Sequence, residues 1–290
     1  MSIRRDGTAR VRSAATDLGT GTYTIAAQVT AELLGLDIDQ VQVEIGDSDL
    51  PPAPYSGGSG MATSLSGAIH DAVGKLVRAF LDLVGDDESS PLRGRSPDDV
   101  TTTNGGIHGV DAPSIGETYV DMLARHGLPE TTADGERNPR ANGVSPPPSG
   151  TFAAWFAEVR VDAELGLLRV ARIVSAVDAG RILNEKLARS QMIGGAVMGI
   201  GMTLLEETVF DPETGRIANA TFGDYLIPAN ADVGEIDVLF VGTPDTVRPL
   251  GIKGLGEIGV VGVSAAIANA VYHATGRRIR SLPITVEQLL

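Results

Sequence analysis

A chain of 290 residues, 42% of them hydrophobic, can bury a sizeable core and is too apolar to be a disordered segment. Lys and Arg number 23 against 37 Asp and Glu, and the formal net charge of −14 argues against nucleic acid as a general partner. There is no cysteine, which excludes disulfides, Cys-ligated zinc and any iron–sulfur cluster held by this chain itself.

The first residues, Met1-Ser-Ile-Arg-Arg-Asp-Gly7, contain no apolar core of a secretory signal, so a cytoplasmic location is expected unless a partner carries the chain across a membrane. Ile3 to Arg12 reads as a hairpin around an Asp6-Gly7 turn, with a first arm so short that it should be poorly tied down. Thr16 to Thr24 is a glycine loop. It leads into a helix over about Thr24 to Leu34 that Gly35 ends. Val41 to Ile45 alternates as a strand does. Asp47 to Pro54 is a Pro-rich turn, and Ser56-Gly-Gly-Ser-Gly-Met61 is a second glycine loop before a helix from about Ser64 to Leu83.

Gly85 to Pro113 is polar, with short strands expected near Val100–Thr103 and Gly106–His108. Ser114 to His126 reads as one helix. Thr131 to Gly150, with Pro146-Pro-Pro148, is the most linker-like stretch. It is treated as a surface excursion within one 1–290 region. Phe152–Val161 and Leu168–Val177 read as strands joined through Gly166. Glu185 to Glu207 reads as a glycine-bearing helix, and Glu235–Val241 as a strand. The apolar stretch Met192 to Leu205 is short for a bilayer and reads as buried helix, so no membrane span is expected. A final long helix ends at Gly276, and Thr285-x-x-Gln288 suits a capping box.

Chemistry concentrates at Gly251-Ile-Lys-Gly-Leu-Gly-Glu-Ile-Gly259. Here a lone carboxylate, Glu257, stands among glycines that let backbone approach a ligand without a Cβ clash. The same stretch can be read as a glycine-rich turn with an incidental acid. Gly254 to Gly259 also has the letters of G-x-G-x-x-G, but the acid expected about 20 residues on is missing, and Glu257 would repel a pyrophosphate. His70, His108, His126 and His273 show no metal-ligand spacing, and G-x-S-x-G is absent. Ser56 and Ser59 have no evident base. Asp47, Asp211, Glu213 and Asp245 sit in turns and read as turn formers. Three glycine loops (Leu18–Thr22, Gly57–Met61 and Gly254–Gly262) each precede a helix, as a large anionic cofactor contacted by backbone amides would require. Ordinary loops of a glycine-rich protein look the same.

Several segments in order carry a resemblance. They are Asp17-Leu-Gly-Thr-Gly-Thr-Tyr-Thr24, Gly46-Asp-Ser48, Ser56-Gly-Gly-Ser59, Phe156-Ala-Glu-Val-Arg-Val161, Ala188-Arg-Ser-Gln-Met-Ile-Gly-Gly195, Gly199-Ile-Gly201 and Lys253-Gly-Leu-Gly-Glu-Ile-Gly259. In these the chain resembles the C-terminal half of the molybdenum-binding subunit of the xanthine dehydrogenase/aldehyde oxidase family, nearest to bacterial aldehyde oxidoreductases. The resemblance implies an α+β fold of mixed sheets with packed helices. It also implies molybdenum held by molybdopterin, in bacteria usually the cytosine dinucleotide, so no protein side chain ligates the metal directly.

By the same resemblance Glu257 is the general base to the metal-bound hydroxyl. Leu18, Gly19, Thr20, Gly21, Gly58, Ser59, Gly60, Met61, Met198, Gly254 and Gly256 are the cofactor positions. Thr20 and Met198 stand where some relatives carry Gln. The implied substrate is a small aldehyde or heteroaromatic compound. The implied partners are an N-terminal half of the subunit, an iron–sulfur subunit and an FAD subunit. The alternative is a non-catalytic remnant or scaffold that keeps the fold and binds no cofactor.

Overall fold

A computed structural model describes residues 1–137 and 149–290. The chain divides into two compact units: unit 1 is Met1–Ser149 with Asp245–Ile252, and unit 2 is Gly150–Pro244 with Lys253–Leu290. The first boundary falls at the end of the Pro-rich stretch, whose Pro146–Pro148 run lies outside the described residues.

In unit 1, β1 (Ser2–Arg4) and β2 (Ala9–Ser13) form the expected hairpin, and α1 (Thr22–Leu34) leads to β3 (Val41–Ile45). Then come α2 (Met61–Val84), β4 (Val100–Thr103), β5 (Gly106–Gly109), β6 (Gly116–Thr118), α3 (Tyr119–Arg125) and β7 (Glu130–Thr132). One sheet runs β3-β2-β1-β7 and a smaller one β4-β5-β6.

The expectation of a loose first arm is corrected. β1 lies between β2 and β7, Ile3 is fully buried, and the Met1 ammonium donates to the Ala133 carbonyl at 2.9 Å. Thr131 and Thr132, read as the start of the excursion, are therefore sheet residues paired with β1. The single helix expected over Ser114–His126 is also corrected. Its first part pairs with β5, and Thr118 caps α3 by accepting from the Asp121 amide. Around this turn Tyr119 is buried, donates from its hydroxyl to the Leu34 carbonyl at 3.1 Å and packs on the Phe80 ring.

In unit 2, β8 (Phe152–Asp162) and β9 (Leu167–Asp178) form a long antiparallel pair. After α4 (Glu185–Leu204), β10 (Glu235–Phe240) joins β9 in parallel. α5 (Ile258–Val261), α6 (Val263–Thr275) and α7 (Val286–Leu289) complete the unit. β8 alternates exposed and half-buried along its whole length, as a strand covered on one face does. The core is aliphatic: Val170, Ile173, Ala196, Ile200, Val263, Ile267 and Val271, with Trp155 against them. Ile258–Thr275 is long and apolar enough to cross a membrane by length and composition. It is broken at Gly262 into two helices, and Val263, Ile267 and Val271 on α6 are fully buried in this core.

Candidate functional site

In unit 1 the two glycine loops lie side by side. The Thr16 and Ser56 hydroxyls are 2.6 Å apart, and Ser56 Oγ also donates to the Thr16 carbonyl. Ser56 is thus engaged by Thr16, as a structural hydroxyl is, and the serine-nucleophile reading finds no base here.

The loops differ at the starts of their helices. Gly21 is the N-cap of α1 with φ 81°, and Asp17 curls back over it. Asp17 Oδ1 accepts from the amides of Gly19 at 2.9 Å and Gly21 at 3.0 Å, and Oδ2 accepts from Tyr23 at 3.4 Å. Partial burial pushes the Asp17 pKa up, but the amides of Gly21, Gly19, Tyr23 and Thr22 outweigh it and hold the carboxyl below its ordinary value. The start of α1 therefore already holds an anion of its own. The positive φ values of Gly19 and Gly21 set the turn through which Asp17 reaches these amides. Leu18 stands out from the loop with 69% of its surface exposed, and the Thr20 hydroxyl lies 3.2 Å from that of Thr22.

At α2 no side chain caps Gly60 and no acid occupies the first turn. Gly58 and Ser59 both have positive φ, at 61° and 57°, a conformation that turns successive amides toward one side. A Cβ on Gly58 would meet only the Tyr55 hydroxyl, at 3.8 Å, so the outer side of the loop is open. Tyr55 beside it is 81% exposed. The Gly60 amide donates to the Gly57 carbonyl at 3.1 Å, and the start of α2 at Gly58–Met61 fits a phosphate-bearing group, with no acid in the first turn and a helix dipole of favourable sign.

In unit 2, Gly254 and Gly256 lie in the loop that ends at Glu257, which is exposed at the N-cap position of α5. α5 is only one turn, and this third glycine loop presents a carboxylate at its start. The loop is held on both sides of the acid. On the near side, Lys253 donates its amide to the Ala179 carbonyl at 3.0 Å. Its ammonium lies 3.2 Å from both Asp178 carboxylate oxygens, and Thr151 Oγ1 donates to the Gly254 carbonyl at 2.5 Å. On the far side α5 lies against α4 at Gly195, where a Cβ would come within 2.4 Å of the Gly259 carbonyl carbon. Met198, further along α4, is 58% exposed.

Three of the four turn acids behave as turn formers. Asp47, Asp211 and Asp245 accept from the amides of Asp49, Glu213 and Val247. Two features escaped the sequence reading. The Asp17 cap had a local signal in its Asp-x-Gly-x-Gly pattern. The Lys253–Asp178 pair, 75 residues apart, had none.

The Molybdopterin cofactor-binding domain family matches residues 1–234. The aldehyde oxidoreductase molybdenum-binding subunit of Escherichia coli (strain K12) is 37% identical over the whole chain, which covers 38% of that relative. The xanthine dehydrogenase molybdenum-binding subunit of Escherichia coli O157:H7 is 30% identical with the same coverage. Among solved structures, quinoline 2-oxidoreductase from Pseudomonas putida 86 superposes with a TM-score of 0.81 at 27% identity, over 99% of this chain and 37% of that one. The aldehyde oxidoreductase from Desulfovibrio gigas, at 24% identity and a TM-score of 0.75 over 99% of this chain and 29% of that one, shares the fold. The chain spans 38% of the length of these curated relatives.

Proposed function

This chain belongs to the molybdopterin cofactor-binding domains of aldehyde oxidoreductase and xanthine dehydrogenase molybdenum-binding subunits, and on that premise we propose that it is part of a molybdenum hydroxylase with Glu257 as general base. The substrate class is an aldehyde or an N-heterocycle. Its support is the names of the relatives: aldehyde oxidoreductase, xanthine dehydrogenase and quinoline 2-oxidoreductase. In net terms one oxygen from water enters a C–H bond of the substrate, and two protons and two electrons leave.

Molybdopterin bound here, in its cytosine dinucleotide form, would supply the metal for the redox chemistry. In unit 1 the start of α2 at Gly58–Met61 would hold its phosphates, and Leu18, Gly19, Thr20 and Gly21 stand on the neighbouring loop that Asp17 shapes. In unit 2 Met198, Gly254 and Gly256 are the cofactor positions. Glu257 receives the proton that the hydroxylating oxygen must lose.

The observation that carries this role is an exposed carboxylate on a loop fixed on both sides. The electrons leave through iron–sulfur and FAD subunits, since this cysteine-free chain offers no thiolate for a cluster. Relatives named as subunits of such enzymes support an assembly, completed by the remaining length of the molybdenum-binding polypeptide.

Glu257→Gln in the assembled enzyme is expected to abolish turnover at unchanged molybdenum content, and full activity in that variant sinks the base. Molybdenum near one per chain in the assembled protein supports the enzyme. No molybdenum in the chain, with or without partners, supports the non-catalytic scaffold instead.

A further inference from the structure

Glu257 is preceded by Gly254, Leu255 and Gly256, a stretch in which two residues of three place almost no restraint on φ and ψ. The glycines leave the direction of the carboxylate to the contacts around them: Thr151 holds the Gly254 carbonyl, Leu255 packs against the Val177–Met192–Val238 cluster, and the charged contact is at Lys253. That residue is tied to two successive residues at the end of β9: by its amide to the Ala179 carbonyl, and by its ammonium to both oxygens of Asp178.

Asp178 is a fixed anchor. Its Oδ1 accepts from the Gly180 amide at 3.0 Å, and Gly242 backs onto it so closely that a Cβ there would fall 2.5 Å from the carboxyl carbon. The Lys253 side chain is only 12% exposed. An ion pair in that setting adds little net stability over an apolar pair of similar volume, because desolvation of both charges offsets their attraction. What it adds is direction, since among the described residues Asp178 answers the ammonium's charge.

We infer that the Lys253–Asp178 pair is a positioning device: it sets the orientation of the loop and so holds Glu257 where a proton is to be taken. This rests on the reading of Glu257 as the base. Lys253 and Asp178 act through the loop and are positioning residues. The second restraint, Gly259 against Gly195, bounds the other side of Glu257, and between the two Leu255 and Ile258 pack against the Val177–Met192–Val238 cluster.

The test uses Lys253→Met, which keeps the length of the side chain and removes its charge, Asp178→Asn, which keeps the acceptor for Gly180, and Lys253→Arg as the conservative variant. Amide hydrogen exchange is measured on the full 290-residue chain. In Lys253→Met and Asp178→Asn the 253–259 segment is expected to exchange about 10-fold faster or more, while β8 and β9 keep their protection. Lys253→Arg is expected to restore most of the difference.

In the molybdenum-loaded assembly, Lys253→Met is expected to lower kcat about 10- to 100-fold, with KM and molybdenum content near wild type. Unchanged exchange at 253–259 overturns the proposal. Loss of protection spread evenly over β8 and β9 also overturns it, because the pair is then a staple of the fold. Glu257→Gln separates the two ideas. If that variant is active the base reading falls. If it is inactive and Lys253→Met is fully active with normal exchange, only the positioning role falls.

Discussion

Two adjacent glycines on α4 should respond to the same substitution with opposite signs. A Cβ on Gly195 would lie 2.4 Å from the Gly259 carbonyl carbon, 2.6 Å from its Cα and 2.8 Å from the Val260 amide nitrogen. These are backbone atoms, so no rotamer change relieves the overlap, and α5 must move away from α4 by about 1 Å to restore ordinary contact. Overpacking of this kind costs about 1–3 kcal/mol, and backbone-on-backbone overlap belongs at the upper end. The better helix propensity of alanine returns about 1 kcal/mol, leaving Gly195→Ala destabilised by about 2 kcal/mol. A Cβ on Gly194 meets nothing within 4 Å, so Gly194→Ala keeps the propensity gain and is stabilised by about 0.5–1 kcal/mol.

Trp155, the one tryptophan of the chain, sits in β8 against the unit 2 core, so its fluorescence in urea reports on this unit. With a slope of about 2 kcal/mol per M, the midpoints of the two variants should stand about 1–1.5 M apart, on opposite sides of the wild type. Equal midpoints, or a Gly195→Ala protein as stable as the parent, would refute the claim that bare backbone contact is what glycine provides at this crossing.

The Gly58 loop gives a second test: Gly58→Val puts a β-branched side chain at φ 61°, and the assembled enzyme should lose most of its molybdenum, whereas Gly58→Asn, which tolerates that conformation, should retain it by metal analysis. Unchanged loading in the valine variant counts against the backbone cradle. Asp17→Ala should destabilise unit 1 by about 1 kcal/mol at pH 7, because the amides at the start of α1 lose their acceptor. The folded pKa of Asp17 is depressed, so its stabilisation is fully present above the unfolded value near pH 4 and is lost as pH falls through the folded one. Thermal melts of the two proteins should therefore converge as pH falls through the folded pKa of Asp17, and a gap that stays constant across the acid range rules out the carboxylate as its source.

What the sequence disclosed follows from how far apart the interacting residues are. The period of 3.6 located α1 and α2 to within three residues at each end, and alternation located β8 and β9, because each pattern is complete within its own segment. Ser114–His126 failed as one helix because its first turn is recruited by β5, a pairing that leaves no mark on the local pattern. The burial of β1 was hidden for the same reason, since its second neighbour is β7. At the site, the glycine loops and Glu257 were legible as motifs. Their unequal roles were not: that Asp17 already occupies one helix start is a matter of side-chain direction, and that Lys253 meets Asp178 is a matter of tertiary approach.

The interleaving of the two units has a consequence for recombination between relatives. Residues 245–252 belong with 1–149, and they carry buried Gly251 and Ile252, the Asp245 carboxylate that accepts from Ser149, and Arg248, which donates to the Ser149 carbonyl at 2.8 Å. A chimera with a single crossover at 149/150 would therefore pair one parent's first unit with the other parent's eight-residue return segment. Inheritance of a whole unit requires the stretch 1–149 and the stretch 245–252 to travel together. Breakpoints at 149/150, 244/245 and 252/253, used as a set, are the ones expected to yield folded hybrids.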